Sequence, residues 1–258
     1  MADFSEALGK RKRETEQAVS KKRAMKRKQK PKSSLTGDLN LDASAGVNEA
    51  IGHMDSSLLA DYVAQSIRRF EPDLTSIELE DRYISERAVR DTSDWSFPRT
   101  SDTLPQYLEH FTDGPDAVTR LSNAPESCGH PHTIVVTAAG LRAADLARSL
   151  RKFQSKDATV AKLFAKHIKF KEAVDMVKKS RIGIGIGTPQ RLIDLLDNGA
   201  LSSKNLERIV IDASHINQKK RGIFDMKETE IPLTQLLLRK ELKSRYSSVE
   251  GRISLLFF

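Results

Sequence analysis

Three stretches of this 258-residue sequence hold residues whose type and spacing could do chemistry. In the first, Gly183, Gly185 and Gly187 alternate with isoleucine, and Asp212 closes a later apolar run, Arg208-Ile-Val-Ile-Asp212. Together these imitate a dinucleotide-binding fingerprint. That fingerprint needs Gly-x-Gly-x-x-Gly at a strand-to-helix turn, whereas these glycines alternate within the strand-like run itself. In the second, Cys128-Gly129-His130-Pro131-His132 offers three soft ligands in five residues. A structural zinc wants four ligands, usually as two spaced clusters, and no partner cluster is visible, so no metal is expected. The third is Thr188-Pro189-Gln190-Arg191, a hydroxyl and a guanidinium at the start of an apolar helical pattern. Phosphoryl transfer would need a Gly-rich loop ending in Gly-Lys-Ser/Thr to hold the phosphates and Mg²⁺. Only Gly9 is followed by lysine, and Arg11 comes next. No cofactor and no small-molecule substrate are therefore expected.

The elements that carry these residues are legible from about 130 onward. Thr133–Thr137, Val160–Ala165, Arg181–Gly187, Arg208–Asp212 and Arg252–Phe257 are apolar runs of strand length. Helical patterns separate them: one carrying Leu141, Leu146, Leu150 and Phe153, one over 170–179, one from Pro189 through Leu196, and one around 233–242. Pro189 in a first turn and Gly199 just past an end suit those positions. Strands alternating with helices argue for a parallel sheet covered on both faces. The fold class expected is α/β, with about five or more strands over 126–258.

Upstream, 46–125 reads as a mostly helical extension. Ile51, Met54, Leu58, Leu59, Tyr62, Val63, Ile67 and Phe70 recur at three- and four-residue steps, which predicts one helix over about 48–70. Glu71-Pro72 ends it, because proline disfavours helical geometry in the residue before it. Trp95, the only tryptophan, is expected to anchor the extension to the main domain.

Residues 1–45 read as a disordered basic tail, too poor in large apolar residues to offset the entropy of ordering. The first 36 residues hold 12 Lys/Arg against 4 Asp/Glu, which accounts for the whole net charge of +8. Attraction to a polyanion is thus concentrated in one segment. Its bases form two clusters, Lys10-Arg11-Lys12-Arg13 and then Lys21, Lys22, Arg23, Lys26, Arg27 and Lys28 running on to Lys32. That spacing fits a bipartite nuclear import signal, an RNA contact, or both. The single cysteine excludes an intrachain disulfide, and no apolar run approaches the roughly 18 residues of a membrane span. No membrane partner is expected.

Three segments occur in an order that resembles the first RecA-like lobe of DEAD-box RNA helicases: Thr133 to Phe153, Ile184 to Leu196, and Leu206 to His215. Thr188-Pro189-Gln190-Arg191 resembles the family's Thr-Pro-Gly-Arg motif, Ala138 to Arg142 weakly resembles its Pro-Thr-Arg-Glu-Leu, and Asp212-Ala213-Ser214-His215 stands at its Asp-Glu-Ala-Asp box. The resemblance implies RNA-phosphate contacts for Thr188, Arg191 and Arg142, and a former magnesium ligand in Asp212. Lysines 152, 156, 162, 166, 169 and 171 would widen such a surface. It also implies what is missing: Ala213 replaces the water-activating glutamate, no phosphate loop is present, and the sequence stops where a second lobe would follow. The implied protein is a single helicase-like lobe without ATPase activity.

With the basic start, Ser76-Ile-Glu-Leu-Glu80, Asp94-Trp95 and the terminal Leu-Leu-Phe-Phe, the sequence is similar to the fungal Cms-one family, subunits of the U-three-containing 90S pre-ribosome or small-subunit processome. That implies a nucleolar assembly factor in 18S rRNA maturation, with pre-rRNA or small nucleolar RNA and processome proteins as partners. A protein-only adaptor in a nuclear ribonucleoprotein and a cryptic nucleotide-binding enzyme are the alternatives.

Overall fold

The five apolar runs pair side by side as one parallel sheet in a computed structural model that describes residues 41–42, 44–165 and 168–258. Residues 1–40 lie outside the described residues, and both basic clusters lie there. The described residues belong to one compact unit, 40–258.

The sheet strands are β3 (Thr133–Val136), β4 (Thr159–Leu163), β5 (Ile182–Gly187), β6 (Arg208–Ile211) and β7 (Ser254–Phe257), in the order β4-β5-β3-β6-β7. Because both faces are covered, the central strands β3, β5 and β6 are buried at every position instead of alternating. Ile134, Val136, Ile209, Ile211, Leu255 and Phe257 point into one core. Val135, Ile184, Ile186, Val210, Leu256 and Phe258 point into the other. Helices α2 (Ser56–Phe70), α7 (Phe170–Lys179), α8 (Pro189–Asp197) and α9 (Lys227–Leu237) supply the first core. Helices α4 (Leu104–His110), α5 (Ala117–Ser122) and α6 (Gly140–Ser149) supply the second. Residues 46–125, which also include the short helix α3 (Ser76–Asp81), contribute to both, Leu59, Val63 and Ile67 on one face and Tyr107, Leu108 and Leu121 on the other.

The alternating glycines are explained by packing. A Cβ on Gly185 would meet Leu163 Cδ1 at 2.8 Å, and one on Gly187 would meet the Leu163 carbonyl at 2.3 Å and Leu192 at 2.9 Å. The backbone of β5 approaches its neighbours too closely for any side chain on that face.

Four details differ from the sequence reading. The helix expected over 48–70 breaks at 53–55, giving α1 (Glu49–Gly52) and then α2, because Asp55 caps a fresh start by accepting from the Leu58 amide at 2.8 Å. The helix expected around 233–242 is α9 followed by α10 (Lys240–Lys243); α9 starts six residues early and contains Pro232. Leu141, grouped with Leu146, Leu150 and Phe153 in one helical pattern, is 64% exposed while those three are buried. The irregular segment expected to continue to about 45 instead pairs from Leu41 onward: β1 (Leu41–Asp42) and β2 (Val47–Asn48) form a hairpin. Asp42 Oδ1 closes its turn by accepting from the Ser44 and Ala45 amides, both at 2.9 Å.

Candidate functional site at the carboxyl edge of the sheet

The register of the sheet brings three of the sequence motifs to one row. Val136 lies beside Gly187 on one side and Ile211 on the other, and Ile211 lies beside Phe257. The next residue along each strand is therefore Thr188, Thr137, Asp212 and Phe258, on strands about 4.8 Å apart. This is the carboxyl edge, where open α/β sheets bind ligands.

Asp212 is buried at 2% exposure, and both its oxygens are engaged. Arg142 clamps it in bidentate fashion, Nε to Oδ2 and Nη2 to Oδ1, each at 3.0 Å. Thr137 donates its hydroxyl to Oδ2 at 2.7 Å. Arg142 is the third residue of α6, so its guanidinium reaches back over the sheet edge. A cation in a first turn opposes the helix dipole, and the buried carboxylate offsets that cost. The structure thus places Arg142, read from sequence as a phosphate contact, in an internal ion pair.

The rest of the Asp212-Ala213-Ser214-His215 segment is closed off by backbone. Ala213 and Ser214 donate their amides to the Phe258 carbonyl at 2.7 and 2.8 Å. The β2 segment runs antiparallel across His215, with Asn48 donating to the Ser214 carbonyl at 2.7 Å and Ile216 to the Gly46 carbonyl at 2.8 Å. Burial holds the His215 imidazole below its ordinary pKa, although Asp212 opposes that shift.

Residues 91–103 cover the neighbouring end of β7. Val89 bridges Leu255 in parallel, and the chain then crosses the sheet edge before α4. Arg99, 4% exposed, secures the crossing by donating to the carbonyls of Thr92 at 2.8 Å, Gly52 at 3.1 Å and Phe257. Tyr107 also donates to the Phe257 carbonyl, at 3.0 Å. Trp95 packs with Phe97, Tyr107 and His110 at centroid separations of 5.1, 5.5 and 5.6 Å. Between this crossing and β2 lies a cavity of about 180 Å³ lined by Val47, Asn48, Trp95, Arg99 and Ser214. The Ser214 hydroxyl and the Trp95 indole N–H are both buried without a partner. Nothing in the sequence marks Arg99 or Thr137 for these roles, because the sheet-edge partners that define them, Phe257 and Asp212, are 158 and 75 residues away.

The Thr188 motif stands at the other end of the row. Thr188 is the extended residue preceding α8, half-buried, with no side-chain capping bond. Arg191 is 9% exposed, lies 5.6 Å from the Phe170 ring centroid, and reaches the Ile168 carbonyl at 3.4 Å. Among the lysines, Lys152 is tied to Glu109 at 2.5 Å, and Lys166 lies outside the described residues. The Cys128–His132 residues face separate partners: His130 contacts Asn205, His132 contacts Thr133 and Asn123, and Cys128 is exposed.

The sequence pattern of one family, described as CMS1, U3-containing 90S pre-ribosomal complex subunit, matches residues 6–258. The chain belongs to the CMS1 family. Protein CMS1 of Chaetomium thermophilum is 51% identical over 249 residues, covering 96% of each chain. Protein cms1 of Schizosaccharomyces pombe is 31% identical over 195 residues, covering 76% of this chain and 68% of that one. Among solved structures, the yeast DEAD-box splicing factor Prp28 aligns with a TM-score of 0.41 and 17% identity, over 59% of this chain and 31% of the helicase.

Proposed function

We propose that this chain is a non-catalytic ribosome biogenesis factor of the 90S pre-ribosome, or small-subunit processome, supporting 18S rRNA maturation through RNA and protein contacts in the nucleolus. Family membership supports the assembly role, since the family is described as a subunit of that particle. The observation that carries the non-catalytic half is the state of Asp212. Oδ2 accepts from Thr137 and Arg142 and Oδ1 accepts from Arg142, so the carboxylate charge is already paired with a guanidinium instead of being offered to a metal. Ala213 beside it is buried at 2% exposure and carries no base. Residues 91–103 lie over the adjoining strand end without the Gly-Lys-Ser/Thr sequence that a triphosphate requires. Losing a general base alone costs roughly a hundred- to ten-thousand-fold in rate.

RNA contact then falls chiefly to the basic clusters Lys10–Arg13 and Lys21–Lys32. Thr188, with its uncapped hydroxyl at the start of α8, is the position of the lobe best placed to add a phosphate contact. Arg191 adds positive charge near it but spends its guanidinium on Phe170 and Ile168.

The test is the salt dependence of RNA affinity. Each phosphate neutralised on a single strand contributes about −0.7 to the log–log slope. Deleting residues 1–36 should flatten the slope by several such increments. An unchanged slope refutes the role of the basic segment, and loss of 90S co-sedimentation by neither truncation nor lobe substitutions would favour a protein-only adaptor.

A further inference from the structure

The two edges of the sheet are treated differently. The outer edge of β7 is covered, because Val89 bridges Leu255 and the Arg90 amide donates to the Leu255 carbonyl at 2.8 Å. The outer edge of β4 pairs with no strand among the described residues. A groove of about 690 Å³ runs along it, floored by Thr159–Lys162 and walled by residues from both helical layers. An open strand edge is a row of backbone donors and acceptors ready to pair with an added strand.

The two walls differ in chemistry. On the α6 side stand Arg151 and Lys162, both exposed. Their neighbours Arg148 and Lys152 are tied to Asp145 and Glu109, but Arg151 and Lys162 have no ion-pair partner among the described residues. Lys162 lies on that side because side chains alternate along a strand, and Val160 and Phe164 pack into the α6 core. On the α7 side the wall is apolar, from Ile168 and Met176.

We propose that this groove receives an extended segment of another protein, about five residues long, that adds a strand to β4. Its acidic side chains would face Arg151 and Lys162, and its alternate, apolar side chains would face Ile168 and Met176. Charge complementarity selects the occupant. A second copy of Thr-Val-Ala-Lys-Leu brings no acidic side chain to face Arg151 and Lys162 and adds a further lysine, so pairing of the chain with itself is disfavoured. A nucleic-acid strand would satisfy the two cations but would leave the backbone edge and the apolar wall unused. The inference rests on the assembly reading only in requiring a protein-rich particle, and it is independent of any RNA contact by the amino-terminal clusters.

The test uses the full-length chain with p-benzoylphenylalanine in place of Gln154, an exposed residue of the groove rim. It is irradiated in purified pre-ribosomal particles, and the adducts are sequenced by mass spectrometry. The expected adduct lies in one protein segment that alternates acidic and apolar residues. A synthetic peptide of that segment should bind the purified full-length chain and slow amide exchange over Thr159–Leu163. The pair Arg151→Glu and Lys162→Glu should weaken binding by about tenfold or more. Adducts to RNA, to a basic or helical segment, or to a second copy overturn the proposal, as does the absence of any light-dependent adduct. So does a peptide whose binding leaves the β4 amides unprotected, a readout that needs no variant. A chain that co-sediments with particles yet yields no adduct loses this proposal and keeps the assembly reading; a chain missing from particles loses both.

Discussion

Replacing Arg142 by methionine removes the guanidinium from Asp212 while keeping the length and much of the packing of the side chain. Asp212, 2% exposed beside Arg142, would be left with only the Thr137 hydroxyl to support its charge. Breaking a buried pair by removing one partner costs about 3–5 kcal/mol, because the other charge stays desolvated. In a unit of this size each kcal/mol lowers Tm by about 2–4 °C, so a drop of roughly 6–20 °C is expected. Asp212→Asn should restore much of that loss in the Arg142→Met background, because the amide oxygen still accepts from Thr137 and no buried charge is left. Urea unfolding of the wild type, both single variants and the double variant at pH 7 gives the coupling energy directly. A coupling of about 2 kcal/mol or more is the expected result. If Arg142→Met costs less than about 1 kcal/mol, as a solvent-exposed pair would, or if the two substitutions are additive, then the internal ion pair is not what closes this site.

Three further outcomes follow from other buried groups. Glu230 in α9 is inaccessible to solvent; one oxygen accepts from Ser66 and Thr234 and the other has no partner, and burial raises its pKa. The folded state therefore binds that proton more tightly than the unfolded chain, so stability falls as pH rises from the ordinary carboxylate range through the raised pKa. Glu230→Gln should accordingly stabilise by on the order of 1 kcal/mol at pH 8 and by much less at pH 4, measured by urea unfolding. His132 is the opposite case: burial first, then Arg208, lowers its pKa to about 4. Its contribution is present above the unfolded value and is lost as pH falls from about 6.5 toward 4, worth about 3 kcal/mol, and an NMR titration of the ring should show an unprotonated imidazole at pH 5.5. Arg99→Ala should free the 91–103 crossing by removing donors to Thr92, Gly52 and Phe257. Faster amide exchange confined to 91–103 and the neighbouring Gly52 turn is the expected signature, and unchanged exchange there would contradict the anchoring role.

The core of the fold could be read from sequence because it is local chemistry. Thr133–Val136, Ile182–Gly187 and Arg208–Ile211 are apolar on both faces, which only a covered parallel sheet permits. Phe170–Lys179 was legible residue for residue, with Glu172 in its first turn and Lys178 and Lys179 in its last. Punctuation was less reliable. Pro232 is a residue that breaks helices, yet α9 carries it next to Leu233, Leu236 and Leu237, all buried in one core, so packing overrides the local cost. At the site, the strand ends were legible but the pairings were not. Asp212 and Arg142 are 70 residues apart, and only the sheet register brings them together. The same holds for Arg99, whose role depends on a carbonyl at the far end of the chain.

The most direct measurement is a titration of the full-length chain with ATP·Mg²⁺, followed by calorimetry and by phosphate release. With Asp212 clamped by Arg142 and Thr137, no saturable heat and no turnover above the protein-free blank are expected. Saturable binding with hydrolysis that Asp212→Asn abolishes would mean that this edge still holds a nucleotide, and the account of a non-catalytic assembly subunit would fail.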